Sequence, residues 1–411
     1  MKVLFIVGTC LSKNTSANMS HNSYIRGFVE NGCEVDVIME TDSWGEKDYF
    51  LKKIDGVSYT EFQSTSRADR IRARLRGKAT GISQPLSDAN SIDAPAKRSI
   101  YLCLRGMAKK LFYAVFPQDK VYPLDKVWLN RSQSFKSTKK YDLVVSNSSP
   151  AASHKLAMLL LEKGNIHAKR WIQIWEDPWS HDIYGNHSTL IEQEEKKLLD
   201  AADEILYVSP ITTEYQKGFF PSAAHKMSTI PLPYLDFDEE CPQYSSTDIT
   251  YGYFGDYYSF TRNLLPFFNA LNNSRRKGYI YGDSNLSLKS ECIDIHPRVT
   301  LDVLSEVQNK TTVLVHLSNL NGGQIPGKIY HYSATRKPIL FILDGTENEQ
   351  EILRNYFGGM NRYYFCENTE DSILNALQKI ENELLSKNEV PVTKFSPKNV
   401  VKSILDESYK L

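Results

Sequence analysis

Residues 175–179 read WEDPW: Glu176 and Asp177 directly follow an apolar run, stand between Trp175 and Trp179, and are stopped by Pro178. A carboxylate at that place can accept a hydroxyl proton or orient a sugar hydroxyl, and the indoles can stack on an apolar sugar face. The same residues equally fit a turn between two core tryptophans. A second stretch, GGQIPGKIYHYSATRKPIL (322–340), sets Gly322 and Gly323 ahead of Pro326 and Lys328. The glycines permit close backbone approach and the proline suits a first helical turn, while the free N–H groups of a helix start, with the Lys328 charge, favour a phosphate-bearing ligand. Loops of this kind also carry glycine simply to turn. FGDYYSFTRN (254–263) adds Gly255, Asp256 and Arg262, whose guanidinium can meet a diphosphate bidentately. YGDSN around Gly282 and IHPRV around Pro297 and Arg298 are further candidates in the same half. In the first half the loop opening at Gly8 and the SNSSP turn (146–150) with Ser148 are their counterparts. Two cations on neighbouring loops beside a glycine-rich helix start favour a diphosphate site more than either cation alone, and the alternative is that both are surface charges.

These residues acquire meaning from the elements that carry them. TTVLVHLS (311–318) and PILFIL (338–343) are short β-branched runs that read as buried strands, with room for one helix between them. The unit is strand, loop, helix, strand, and its loop lies at the carboxyl end of a parallel strand, where open α/β sheets bind ligands. The chain opens the same way: KVLFIV (2–7), a Ser/Asn-rich loop to about Ser20, a helix HNSYIRGFVENG ending at Gly32, and EVDVIM (34–39). YDLVVSNSSP (141–150), RWIQIWEDPW (170–179), TYGYFG (from 250) and GYIYGD (278–283) continue the alternation. Residues 231–250, with three prolines and many polar residues, read as a linker. The expected architecture is α/β, with two Rossmann-like domains and the active site in the cleft between them.

Composition narrows the function. At 411 residues the chain suits two domains, and 49 basic against 49 acidic side chains leave no net charge, which argues against a nucleic-acid partner. Six scattered cysteines form no CxxC pair and no His/Cys cluster, so a reducing compartment and no metal site are expected. The start MKVLFIVG is too short for a signal peptide, and no stretch approaches the roughly 18 apolar residues of a membrane span, so a cytoplasmic protein is expected. The first βα turn, GTCLSKNTS, lacks G-x-G-x-x-G, which speaks against a nicotinamide dehydrogenase. Two segments depart from neutrality: 66–78 carries six basic residues and one acid, and 97–116 five basic residues and no acid among Leu, Phe, Tyr and Val. The second can be written as an amphipathic helix for an anionic bilayer, or as a solvated basic face.

The order and spacing of MKVLFIVG, GFVENGCEVDVI, YDLVVSNSSPAASHKLA, WEDPW, ILYVSP, YGYFGDYYSFTRNLLPFFNAL and IPGKIYHYSATRKPIL resemble the GT-B glycosyltransferases, specifically the family 4-like group of bacterial cell-surface polysaccharide assembly (capsule or lipopolysaccharide). The resemblance covers both halves except roughly residues 45–135. It implies a nucleotide diphosphate sugar on residues 251–411, an acceptor on residues 1–230 (with a basic insertion at about 60–135), a linker at 231–250, and transfer with retention of configuration. It implies diphosphate contacts from Arg262 and Lys328 and places His331 near the ribose, and the carboxyl-end loops add Gly255, Gly282, Pro297, Arg298, Gly322 and Gly323 as donor-contact candidates and Gly8, Ser148, Trp175 and Trp179 as acceptor-contact candidates. Glu176 falls where members with an HEP sequence carry a histidine near the reacting carbon, and Asp177 matches the acid that follows; these two are the catalytic candidates. The family's E-x7-E acids fall at Gly323 and His331, so the usual ribose and donor-sugar contacts are altered. A lipid-linked or polysaccharide acceptor, an anionic membrane surface at the inner face of the plasma membrane, and no cofactor or metal complete the expectation. A nucleotide-sugar epimerase of the same fold, or a non-catalytic nucleotide-binding partner of another transferase, are the alternatives.

Overall fold

The computed structural model describes residues 1–11, 15–41, 51–65, 121–183, 187–235, 249–384, 386 and 389–408. Both basic segments, 66–78 and 97–116, and most of the expected linker, 236–248, lie outside these residues.

Seven parallel strands form the first sheet: β1 (Lys2–Val7), β2 (Glu34–Thr41), β3 (Ser58–Gln63), β4 (Lys140–Asn147), β5 (His167–Trp175), β6 (Glu204–Tyr207) and β7 (Met227–Thr229), in the order β3-β2-β1-β4-β5-β6-β7. The second sheet contains β8 (Thr250–Phe254), β9 (Lys277–Tyr281), β10 (Ile293–His296), β11 (Val313–Leu317), β12 (Ile339–Leu343) and β13 (Tyr363–Glu367), in the order β10-β9-β8-β11-β12-β13. Both orders place a topological switch beside the first strand of the domain, where β1 lies next to β4 and β8 next to β11. Loops on either side of such a switch leave a crevice for a ligand. The central strands read as unbroken apolar runs because helices cover both faces; β8, β11 and β12 are buried along their whole length.

The helices are α1 (Ser16–Glu30), α2 (Lys126–Ser132), α3 (Ala152–Glu162), α4 (Thr189–Ala201), α5 (Pro210–Phe219), α6 (Leu265–Asn273), α7 (Leu301–Lys310), α8 (Lys328–Ala334), α9 (Glu347–Phe357), α10 (Glu370–Glu383) and α11 (Pro397–Ser408). The last, α11, lies against α1 of the first sheet, with Asn31 donating to the Lys398 carbonyl at 2.9 Å, although it falls within the range expected for the donor domain. One apolar cluster runs through both domains, joining Val208, Ile211 and Leu232 to Ile325, Ile329 and Tyr330.

Helix α1 corrects one expectation. The Ser/Asn-rich stretch expected to remain loop to about Ser20 is already helical from Ser16, with Thr15 as N-cap accepting from the Asn18 amide at 3.2 Å. Polarity suggested a solvated loop, but Asn18, Ser20, His21, Asn22 and Ser23 are each at most 2% exposed. A helix start that buries five polar side chains all round opposes the usual amphipathic pattern, in which the buried stripe is apolar.

Candidate functional site

The first half of the site gathers at the carboxyl ends of β1, β4 and β5. Gly8 follows β1, and a Cβ there would stand 2.3 Å from Pro150 Cδ, so only glycine lets the SNSSP turn close over it. Ser148, buried at the end of β4, places its hydroxyl 3.3 Å from the Glu176 amide, which donates to it. Glu176 Oε1 lies 2.9 Å from His21 Nε2, and the two side chains are 10% and 1% exposed. The other ring nitrogen, Nδ1, is 2.7 Å from the Thr9 carbonyl oxygen. A carbonyl only accepts, so Nδ1 carries a proton. Burial pulls the His21 pKa down, but the Glu176 charge and hydrogen bonds to Glu176, Thr9 and Ser148 outweigh it, leaving the value raised. Because the folded value lies above the unfolded one, the stability this pair contributes is fully present below about 6.5, the ordinary histidine value. It is lost as pH rises through the folded value.

Asp177 is turned to the second domain. Its Oδ1 accepts from Gln324 Nε2 at 2.7 Å, and the same amide reaches Asp182 Oδ1 at 3.3 Å. Enclosure by protein and then the Glu176 charge push the Asp177 carboxyl up to about 6, against the hydrogen bond from Gln324, which pulls it down. The residue keeps solvent contact, which limits the burial contribution. The turn that presents this pair is tied to α4: Glu195, fully buried, accepts from the amides of Trp179 at 3.3 Å and Ser180 at 2.7 Å.

Trp175 is corrected from acceptor contact to core. It is 1% exposed, its ring lies 4.1 Å from that of His154, and its Nε1 donates to Gln173 at 2.9 Å. Odd and even residues of a strand point to opposite faces, and the last residue of β5 points under the sheet, away from the crevice. Trp179 is partly buried, with its ring 5.3 Å from Tyr122.

In the second half, Arg262 Nε donates to Asn319 Oδ1 at 2.7 Å and Nη1 to the Asp256 carbonyl at 3.0 Å. These two neutral acceptors fix the guanidinium, and no carboxylate pairs with it among the described residues. Arg298, 69% exposed, is instead paired through both Nε and Nη2 with the Asp256 carboxylate, which holds Asp256 below its usual value. Lys328 opens α8 and its Nζ donates to the Phe254 carbonyl at the end of β8. Burial, opposed by Asp256 and reinforced by Arg298 and Arg262, lowers Lys328 to about 8. The structure thus brings Arg262, Lys328 and the Arg298–Asp256 ion pair into one group. Gly255 and Gly282 directly follow the adjacent strands β8 and β9: a Cβ at Gly282 would fall 1.9 Å from the Gly255 carbonyl oxygen, a clash between backbone segments that only glycine avoids. Pro297 is exposed.

His331, one turn after Lys328, has both ring nitrogens buried without partners among the described residues, and burial followed by the Lys328 charge lowers it to about 4. It is a neutral imidazole where the resemblance implies an acid. Gly322 and Gly323 take positive φ of 95° and 71°, but what approaches them is the first domain. Their Cβ atoms would meet Ile183 Cγ2 at 2.5 Å and Ile211 Cγ2 at 2.7 Å, and the Gly323 carbonyl accepts from Ser209 at 2.5 Å and Thr212 at 3.1 Å. Their close approach therefore serves the domain contact, which corrects the expectation that the pair cradles phosphate.

The residues that sequence reasoning missed are the ones that join the halves. Asn319 Nδ2 donates to the Gln324 carbonyl at 3.2 Å, so a hydrogen-bonded path runs Asp177, Gln324, Asn319, Arg262. His21 was the other omission, and its burial in the first turns of α1 shows only in the fold. Among the described residues no group of three or more His, Cys, Asp or Glu could hold a metal ion.

No protein-family model matches the chain, and no curated protein matches it in sequence. In fold it is similar, over 100% of this chain and 99% of the other, to the apo form of the lipopolysaccharide outer core galactosyltransferase WaaB, with a TM-score of 0.50 at 13% identity. A glycosyltransferase from Rickettsia africae gives 0.53 at 11% identity, covering 99% and 97% of the two chains. The E. coli structure described as trehalose-6-phosphate bound with UDP-2-fluoro glucose gives 0.53 at 10%, covering 100% and 99%. The chain therefore has the GT-B fold, two Rossmann-like α/β domains, and nothing in these likenesses singles out family 4.

Proposed function

We propose that the protein is a glycosyltransferase that moves a sugar from a nucleotide diphosphate sugar to a hydroxyl of a lipid-linked or polysaccharide acceptor. The observation that carries this reading is the path from Asp177 through Gln324 and Asn319 to Arg262, which sets an acidic first-domain loop against a cationic second-domain loop. Cations suit the leaving diphosphate, whose charge grows as its bond to the sugar breaks, and carboxylates suit the hydroxyl that attacks. The full-length GT-B neighbours support the same assignment. Retention of configuration follows the resemblance and is read from the anomeric coupling of the product.

The first test is a thermal-shift panel of uridine, guanosine, adenosine and thymidine diphosphates with their sugars. A ligand at 100 times its Kd stabilises the folded state by about 2.7 kcal/mol, and turnover should persist in excess chelator, since Arg262 and Lys328 can neutralise the phosphates. A chain stabilised by none of these nucleotides is not such an enzyme, and one that binds a nucleotide yet transfers to no acceptor would be the non-catalytic partner. The basic segments between 66 and 116 support an anionic membrane as second partner. Cosedimentation with phosphatidylserine vesicles is expected to fall steeply with salt, because exposed charges are screened over roughly 10 Å at 0.1 M. Salt-independent binding or none would leave these segments as solvated surface. Among the described residues no helix is long and apolar enough to cross a membrane.

A further inference from the structure

The buried polar start of α1 has a use that neither the resemblance nor the nucleotide site supplies. We infer that His21 is a positioning residue that holds Glu176 as a fixed carboxylate, so that Glu176 takes the proton of the acceptor hydroxyl. The inference rests on the transferase reading and specifies where its proton goes. The acceptor oxygen bonds to the anomeric carbon on the face from which the diphosphate departs, the bond from that carbon to the diphosphate breaks with its electron pair leaving on the diphosphate, and the hydroxyl proton passes to Glu176.

The geometry assigns the two residues different parts. Both nitrogens of His21 are engaged, Nδ1 with the Thr9 carbonyl at 2.7 Å and Nε2 with Glu176 Oε1 at 2.9 Å, and the side chain is 1% exposed, so substrate cannot reach the imidazole. Glu176 is 10% exposed and only Oε1 faces the ring, while the second oxygen has no protein partner among the described residues. A carboxylate this deeply placed is costly to keep charged unless a cation or donors compensate, and an imidazolium anchored from behind by a backbone carbonyl is such a partner. Among the described residues the charged and titratable neighbours of the pair are Asp177 beside Glu176, and Tyr24 one turn along α1, whose hydroxyl is kept protonated by burial and then by the Glu176 charge. The Glu176 amide is held by Ser148, so main chain and side chain are both fixed. His21 reaches the site from α1 rather than from the WEDPW loop, so the imidazole and the carboxylate come from different strands' ends.

The test is a histidine ring titration by NMR on the full-length protein, with His21→Asn used to assign the signal. His21 is expected to titrate above 6.5 in the wild type and below it in Glu176→Gln, because burial alone pulls the ring down once the carboxylate charge is gone. A wild-type ring that titrates at or below 6.5, or one unmoved by Glu176→Gln, overturns the pair. In turnover His21→Asn should lower kcat at least tenfold while calorimetry with the nucleoside diphosphate stays within twofold of the wild type. Loss of both together would make His21 a packing residue only and overturn the inference. Failure of the wild type to bind any nucleotide would instead remove the transferase reading, a result separable from the ring titration.

Discussion

Glu176→Gln is expected to lower turnover by about 10²- to 10⁴-fold while leaving nucleotide affinity nearly unchanged, the usual range for losing a general base or a proton-orienting contact. The amide keeps the shape of the side chain and can donate its N–H to the neutral His21 Nε2, and removes the charge and the proton acceptor. Asp177 should behave differently. It touches Gln324 rather than His21, and Asp177→Asn can still present an oxygen to that amide. Its effect should be the smaller of the two, whereas Asp177→Ala, which breaks the strut between the domains, should raise KM as well. The measurement is initial velocity on a verified acceptor together with calorimetry on the nucleotide. Near-normal turnover of Glu176→Gln would reduce WEDPW to a turn above a packed tryptophan.

The second large effect belongs to donor binding. Arg262→Ala and Lys328→Ala should each cost about 1.5 to 3 kcal/mol of affinity, the range for a charge-assisted hydrogen bond. Arg262 is held in place by two neutral acceptors, Asn319 and the Asp256 carbonyl, so its charge is available to a ligand. Arg298 is not, since Asp256 already neutralises it. Lys328 adds a pH signature. Burial, reinforced by Arg298 and Arg262, lowers its pKa to about 8, so the cation is complete below that value and is lost as pH rises through it. A bound diphosphate raises the value again. Donor affinity should therefore weaken above pH 8, and calorimetry in buffers of different ionisation enthalpy should show proton uptake near pH 8.5. Affinity unchanged in both alanine variants, or flat from pH 7 to 9.5, would remove these residues from the diphosphate site.

The sequence alone determined the parts whose signal is local. Strand runs such as VLVHL and ILFIL, each buried on both faces, are unbroken apolar stretches, and their spacing leaves room for one helix, so the parallel α/β architecture follows. The positions of Arg262 and Lys328 at the ends of β8 and β11 follow from the same rhythm, because loops at carboxyl ends are where such sheets bind ligands. What only the tertiary structure decided was partnership across distance. Nothing near residue 21 in the chain announces that His21 meets a carboxylate 155 positions away, since that contact exists only where the first turns of α1 meet the loop after β5. Trp175 and Glu176 are adjacent and looked equally functional, yet the strand pleat sends the indole into the core and the carboxylate into the crevice. Gly322 and Gly323 were legible as sites of close backbone approach, but not which backbone or side chain approaches. That was settled by the first domain, where Ile183 and Ile211 occupy the space a side chain would need, and the identity of a neighbour is set by global packing rather than by the residues of the loop itself.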